Sequence, residues 1–170
     1  MSGSDEAAST TTQAQDAAVG PVLQHRVRFH EADAQGFMFN SRYLELADVA
    51  MTEFFRSLGF PYRELVSAGA DPSVVEARVR FTTPARFEDL LDVGVACTRV
   101  GTSSFELETV ISSEGRLVAR TSLAYVNVDA ELARPRPLPD VVAEALRRVA
   151  TEPVLDAATW RSTDSPPDVS

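Results

Sequence analysis

Residues 29–59 read F-H-E-A-D-A-Q-G-F-M-F-N-S-R-Y-L-E-L-A-D-V-A-M-T-E-F-F-R-S-L-G. The stretch has three parts. Residues 27–30 form a strand-like end. The tetrapeptide Asp33-Ala34-Gln35-Gly36 then sets one acid and one glycine in a short loop. From Asn40 to near Leu58, Tyr43, Leu44, Leu46, Ala47, Ala50, Met51, Phe54, Phe55 and Leu58 recur at helical spacing. They leave only a polar strip at Arg42, Glu45, Asp48, Thr52, Glu53 and Arg56. A helix with so wide an apolar face is expected to be buried over most of its circumference. Gly59 is its C-terminal stop.

On the N-terminal side, residues 1–20 are Ser, Thr, Ala, Gln and Gly with hardly a large apolar side chain. Such a segment cannot bury enough surface to offset its ordering entropy, so a disordered tail is expected. The first strand begins near Val22, with Val27 and Phe29 facing one way. On the C-terminal side, residues 60–72 are bounded by prolines and form a connector with one helical turn over 62–67. From Val74 the period changes to two. Val75, Ala77, Val79 and Phe81 alternate with Glu76, Arg78, Arg80 and Thr82, the pattern of a half-buried strand. Pro84 breaks it. Leu91, Val93, Val95 and Cys97 mark a third strand. Phe105, Leu107, Thr109 and Ile111 mark a fourth, and 117–128 a fifth with apolar residues in both phases. Gly101-Thr102 and Glu114-Gly115 supply the turns. A short helix covers about 139–150, with Asp140 at its positive end and Arg147 and Arg148 at its negative end.

The expected class is α+β: one long central helix wrapped by a curved antiparallel sheet of about five strands. The expected divisions are an N-terminal tail at 1–20, one domain at 21–150 and a loose tail at 151–170, where Trp160 could dock. A curved sheet with unpaired edges favours edge-to-edge pairing between copies.

Composition narrows the function. The chain has 170 residues and a formal net charge of -9, which argues against a nucleic-acid binder. Every basic residue is arginine, a side chain suited to phosphate through its planar fork. One cysteine, Cys97, allows no intrachain disulfide, and with two histidines it makes a His/Cys metal site improbable. No apolar run is long enough to cross a bilayer, and no signal-peptide pattern opens the chain. A cytoplasmic protein without metal or cofactor is expected.

The segment V-R-F-H-E-A-D-A-Q-G-F-M-F-N-S-R-Y-L-E-L resembles the signature of hotdog-fold acyl-CoA thioesterases of the 4-hydroxybenzoyl-CoA thioesterase type. V-E-A-R-V-R-F-T-T-P-A-R-F-E-D-L-L-D-V and G-R-L-V-A-R-T-S-L-A-Y-V-N-V-D extend the resemblance over about residues 22–149. It implies a hotdog domain, dimeric or tetrameric, with active sites at the dimer interface, acting on acyl-CoA.

Thioester hydrolysis needs a group that delivers the attack on the carbonyl carbon and a group that stabilises the resulting oxyanion. Asp33, a carboxylate side chain set in a loop before a helix, can serve the first need. The resemblance implies that it is nucleophile or general base. A helix N-terminus can serve the second, and the resemblance assigns this to the backbone amide of Asn40. Gly36 lets the loop turn tightly. Each has a plainer role: Asp33 can stabilise a turn, and Asn40 can be a helix N-cap. Phe37, Met38 and Phe39 are bulkier than many relatives have here and point to an apolar or aromatic acyl pocket. Tyr43 is a core or pocket residue. Thr82 and Thr83 end a strand that in the family borders the partner's active site; plain local hydrogen bonding is the alternative. His25 and His30 suit surface or packing roles, and Glu31 a solvated one. Arg86, Arg99, Arg116, Arg120, Arg134 and Arg136 are possible phosphate ligands. An acyl carrier protein is the alternative donor, and a non-catalytic acyl-CoA-binding module the alternative function.

Overall fold

The computed structural model describes residues 21–152. The expectations for 1–20, for the tail beyond Glu152 and for Trp160 lie outside these residues. Strand β1 (Pro21–Arg26) leads through a 3-10 turn (Phe29–Glu31) to helix α1 (Asn40–Ser57). A short α2 (Tyr62–Ser67) connects to β2 (Pro72–Phe81), β3 (Leu90–Val100), β4 (Ser104–Ser113) and β5 (Arg116–Asp129). The two-residue β6 (Arg134–Pro135) and helix α3 (Asp140–Val149) follow. The strand order is β1-β3-β4-β5-β2, antiparallel throughout, with β6 beside β5.

The two-residue turn between β4 and β5 has positive φ at both Glu114 (51°) and Gly115 (75°), the geometry that matches the twist of a tight hairpin. The alternation expected for β3 and β4 is present. Leu91, Val93, Val95 and Cys97, and Phe105, Leu107, Thr109 and Ile111, are all buried. They meet Tyr43, Leu46, Ala47, Ala50, Met51, Phe54 and Phe55 of α1, which packs across β1, β3, β4 and β5. Phe55 sits edge-on to Phe105, and Phe105 stacks on Tyr125 with centroids 4.9 Å apart. Helix α3 closes one end of this core with Val142, Ala143 and Leu146. Buried Asn127 clasps the same end: its amide donates to Gly69 O and Pro137 O, and its oxygen accepts from Asp71 N–H. Such a fully bonded buried amide locks loop positions that apolar contacts alone leave free.

Three expectations are corrected. Phe29 does not continue β1. It lies in the 3-10 turn and is 82% exposed, while Val27 is fully buried. Leu44 is on the rim of α1's apolar face, 36% exposed, because the sheet does not reach that side of the helix. The β2 alternation is interrupted by a register shift between Val74 and Glu76, so Val74, not Val75, pairs opposite buried Tyr125. Strand β2 is an edge of the sheet, and most of it is exposed, including Val75 at 62% and Phe81 at 53%. Among the described residues no helix is long and apolar enough to cross a membrane.

Candidate active site

The loop between the 3-10 turn and α1 closes on itself. Ala32 pairs antiparallel with Met38, and Asp33 N–H donates to Phe37 O at 2.8 Å. Gly36 N–H returns to Asp33 O at 3.0 Å, and Gly36 adopts a φ of 77°, which a side chain would strain. Phe39 N–H donates to Glu31 O, and Met38 N–H to Ala85 O, so the loop is anchored on both flanks. The Asp33 carboxylate organises the loop from inside: Oδ1 accepts from Gln35 N–H at 2.8 Å and from Phe37 N–H at 3.2 Å. Its Oδ2 has no hydrogen-bond partner among the described residues. The turn-stabilising role is therefore real, and it uses only one of the two oxygens.

Helix α1 starts at Asn40, with Phe39 in the N-cap position. The reading of Asn40 as N-cap is corrected: Asn40 is the first helical residue. A phenylalanine cannot cap with its side chain, and no acid occupies the first turn. Arg42 N–H is bonded back to Phe39 O. The amides ahead of it keep the partial positive charge of a helix N-terminus without a side chain to absorb it.

These elements surround one cavity of about 610 Å³, lined by Asp33, Gln35, Phe37, Met38, Phe39, Asn40, Tyr43, Phe81, Thr82, Thr83 and Pro84. That volume is within the range of small-molecule sites, about 300–1,000 Å³. The structure thus brings together every catalytic and acyl-pocket residue singled out from sequence except Gly36, which shapes the loop without lining the cavity; none of the six candidate phosphate-binding arginines lines it. Met38 and Tyr43 are buried. Burial is the largest influence on the Tyr43 hydroxyl and raises its pKa, while the nearby Ala85 backbone acts to lower it. Its ring meets Phe81 edge-on at 5.1 Å. The Thr83 hydroxyl donates to Leu117 O at 2.5 Å, so it is committed to the backbone. Gln35, Phe81 and Pro84 were not singled out from sequence. Phe81 had a signal: it is the last apolar residue of β2, directly before Thr82 and Thr83, which line the same cavity.

Glu31 is not solvated as expected. Its carboxylate is 2.9 Å from His25 Nε2 and accepts from Arg28 N–H at 2.6 Å. Burial raises its pKa, but the Arg28 amide and the His25 ring outweigh burial and hold it below the usual carboxylate value. The pair pins the 3-10 turn to β1. His30 is exposed in that turn. Arg86 lies over the Phe37 ring at 4.6 Å. Among the described residues no cluster of three or more His, Cys, Asp or Glu could hold a metal ion.

The family model for the thioesterase-like superfamily matches residues 27–146. The chain is similar to acyl-CoA thioester hydrolase YbgC of Escherichia coli, 29% identical over 121 residues, covering 70% of this chain and 90% of that protein. Among solved structures it is similar to a hypothetical protein from Aquifex aeolicus, with TM-score 0.68, 27% identity and coverage of 73% and 97% of the two chains. It is also similar to the BH1999 gentisyl-coenzyme A thioesterase, with TM-score 0.67, 29% identity and coverage of 73% and 98%. The long helix held in a curled antiparallel sheet is the hotdog fold, and the chain belongs to the thioesterase-like superfamily.

Proposed function

We propose that this chain hydrolyses an acyl-CoA thioester to the free acid and CoA, with Asp33 delivering the attack and the N-terminus of α1 holding the oxyanion. The class of activity, thioester hydrolysis, follows from its family and from the relatives named above. One observation carries the finer reading. The Asp33 carboxylate and the uncapped start of α1 line the same cavity, as the chemistry requires. Two routes are open to Asp33. As nucleophile, a carboxylate oxygen bonds to the thioester carbon, the thiolate of CoA leaves, and water hydrolyses the acyl anhydride. As general base, the carboxylate takes a proton from water, whose oxygen bonds to the same carbon before the thiolate leaves. In both routes negative charge collects on the carbonyl oxygen. The amide of Asn40 is the donor for it, and its benefit is largest in a water-poor site. Phe37, Met38, Phe39, Tyr43 and Phe81 make the acyl side apolar and aromatic, which favours an aromatic or other bulky apolar acyl group.

The working unit in this reading is a homodimer joined along β2. That edge exposes unpaired backbone together with Val74, Val75 and Phe81, and the residues after it, Thr82 and Thr83, line the cavity. A second copy on this edge would wall the open side of the site. The test is steady-state release of thiol from a panel of aromatic and aliphatic acyl-CoA esters beside the same acyl groups on carrier protein. Hydrolysis of an aryl- or bulky acyl-CoA is the expected result. Turnover confined to carrier-bound substrates would replace CoA as donor, and binding without turnover of any thioester would make the chain a non-catalytic acyl-CoA-binding module.

A further inference from the structure

Phe29 is 82% exposed and Phe87 47% exposed, yet their rings pack edge-to-face with centroids 5.9 Å apart. An aromatic pair left in water is a poor choice for folding and a good platform for a flat partner. Basic and acidic residues both flank it in the chain, and the two kinds differ in whether they are already engaged. Arg28 precedes Phe29, Arg86 precedes Phe87, and exposed His30 follows Phe29. Among the described residues no carboxylate pairs with the guanidinium of Arg28 or Arg86. The nearby acids are engaged: Glu31 with His25 and the Arg28 amide, Asp89 with the Arg86 amide, and Glu88 beside Arg26. The patch is continuous with the candidate active site, because the Arg86 guanidinium rests on the Phe37 ring and Phe37 lines the cavity.

We infer that the Phe29–Phe87 pair, with Arg28 and Arg86, is a nucleotide subsite for the adenosine phosphate end of the thioester substrate. This rests on the acyl-CoA reading above and deepens it. The pantetheine arm would leave the cavity across Phe37 and Arg86. The base would lie against the aromatic pair, and the phosphates would meet the two guanidiniums, whose planar forks suit them. A carrier protein presents the same arm but no adenine, so an exposed aromatic platform at this place selects free CoA esters.

The test uses the full chain and the variant Phe29→Ala/Phe87→Ala. Both side chains are exposed enough for the variant to fold, which its melting temperature checks. The first measurement is binding of adenosine 3′,5′-bisphosphate by calorimetry, a readout independent of Asp33 and of turnover. Wild type is expected to bind it, and the variant about tenfold more weakly, as removal of a stacking platform for one base produces. The second is the ratio of kcat/KM for benzoyl-CoA to that for S-benzoyl-N-acetylcysteamine, which should fall by about the same factor. Failure of the Asp33 mechanism would abolish neither nucleotide binding nor its loss in the variant. The subsite is overturned if wild type does not bind the nucleotide or if both proteins bind it equally. It is also overturned if the double substitution instead changes the sedimentation coefficient, marking a contact between copies, or impairs only a benzoyl carrier protein.

Discussion

Replacing Asp33 by asparagine separates its two jobs. The side chain keeps its shape and an oxygen that can still accept from Gln35 and Phe37 N–H. What changes is the charge. A hydrogen bond to a charged acceptor contributes about 1.5–3 kcal/mol and a neutral one about 0.5–1.5, so each of the two bonds weakens by roughly 1 kcal/mol. At this half-exposed site the total is about 1–2 kcal/mol, a fall of several degrees in melting temperature for a domain of this size. A domain with ordinary stability of about 5–15 kcal/mol remains folded after that loss. Any large fall in turnover at 25 °C must then come from chemistry. General-base catalysis alone contributes about 10²–10⁴-fold, and kcat should drop by at least that factor if Asp33 attacks or activates water. Affinity for a product analogue should survive, since the proposed oxyanion donor belongs to the backbone of α1. The assay is thiol release under saturating acyl-CoA, set beside calorimetric affinity and a melting curve. Turnover within threefold of wild type, with the lower melting temperature present, would reduce Asp33 to a loop-forming residue and refute the mechanism.

Phe54→Ala should cost about 3–5 kcal/mol, as Phe54 is 6% exposed on the buried face of α1, whereas Leu44→Ala at 36% exposure should cost less than half as much; denaturant midpoints compare them. Val75→Lys places a charge on the exposed β2 edge and should shift sedimentation from dimer toward monomer with loss of activity, and an unchanged, fully active dimer would remove β2 as the joining edge. Glu31 has a folded pKa held below its unfolded value, so it binds fewer protons when folded. Its stabilisation is present above the ordinary carboxylate pKa of about 4.5 and is lost as pH falls through the depressed folded value. Melting curves from pH 7 to 3 should therefore show wild type losing more stability on acidification than Glu31→Gln, and parallel curves would contradict the assignment.

The local sequence determined most of the skeleton. The wide apolar face at 43–58 specified a buried helix, because 3.6-residue spacing with so few polar positions needs apolar neighbours on most sides. Period-two alternation located β3 and β4, and Glu114-Gly115 fixed the hairpin between β4 and β5. The Asp33–Gly36 loop before that helix marked the candidate site. What the sequence could not show depends on which neighbours a residue meets. Val75, Ala77, Val79 and Phe81 have the pattern of a buried face, yet β2 became an edge, because alternation records two faces and not what lies beside a strand. Glu31 looked like any surface acid until the 3-10 turn folded it onto His25 six residues earlier. The pairing of Phe29 with Phe87 joins residues far apart in the chain, and only the closing of β1 against β3 brings their segments together. Hydrogen-bonding capacity and hydrophobic period are local properties of the chain; edge position, burial of charge and convergence on one cavity arise only when distant segments share space.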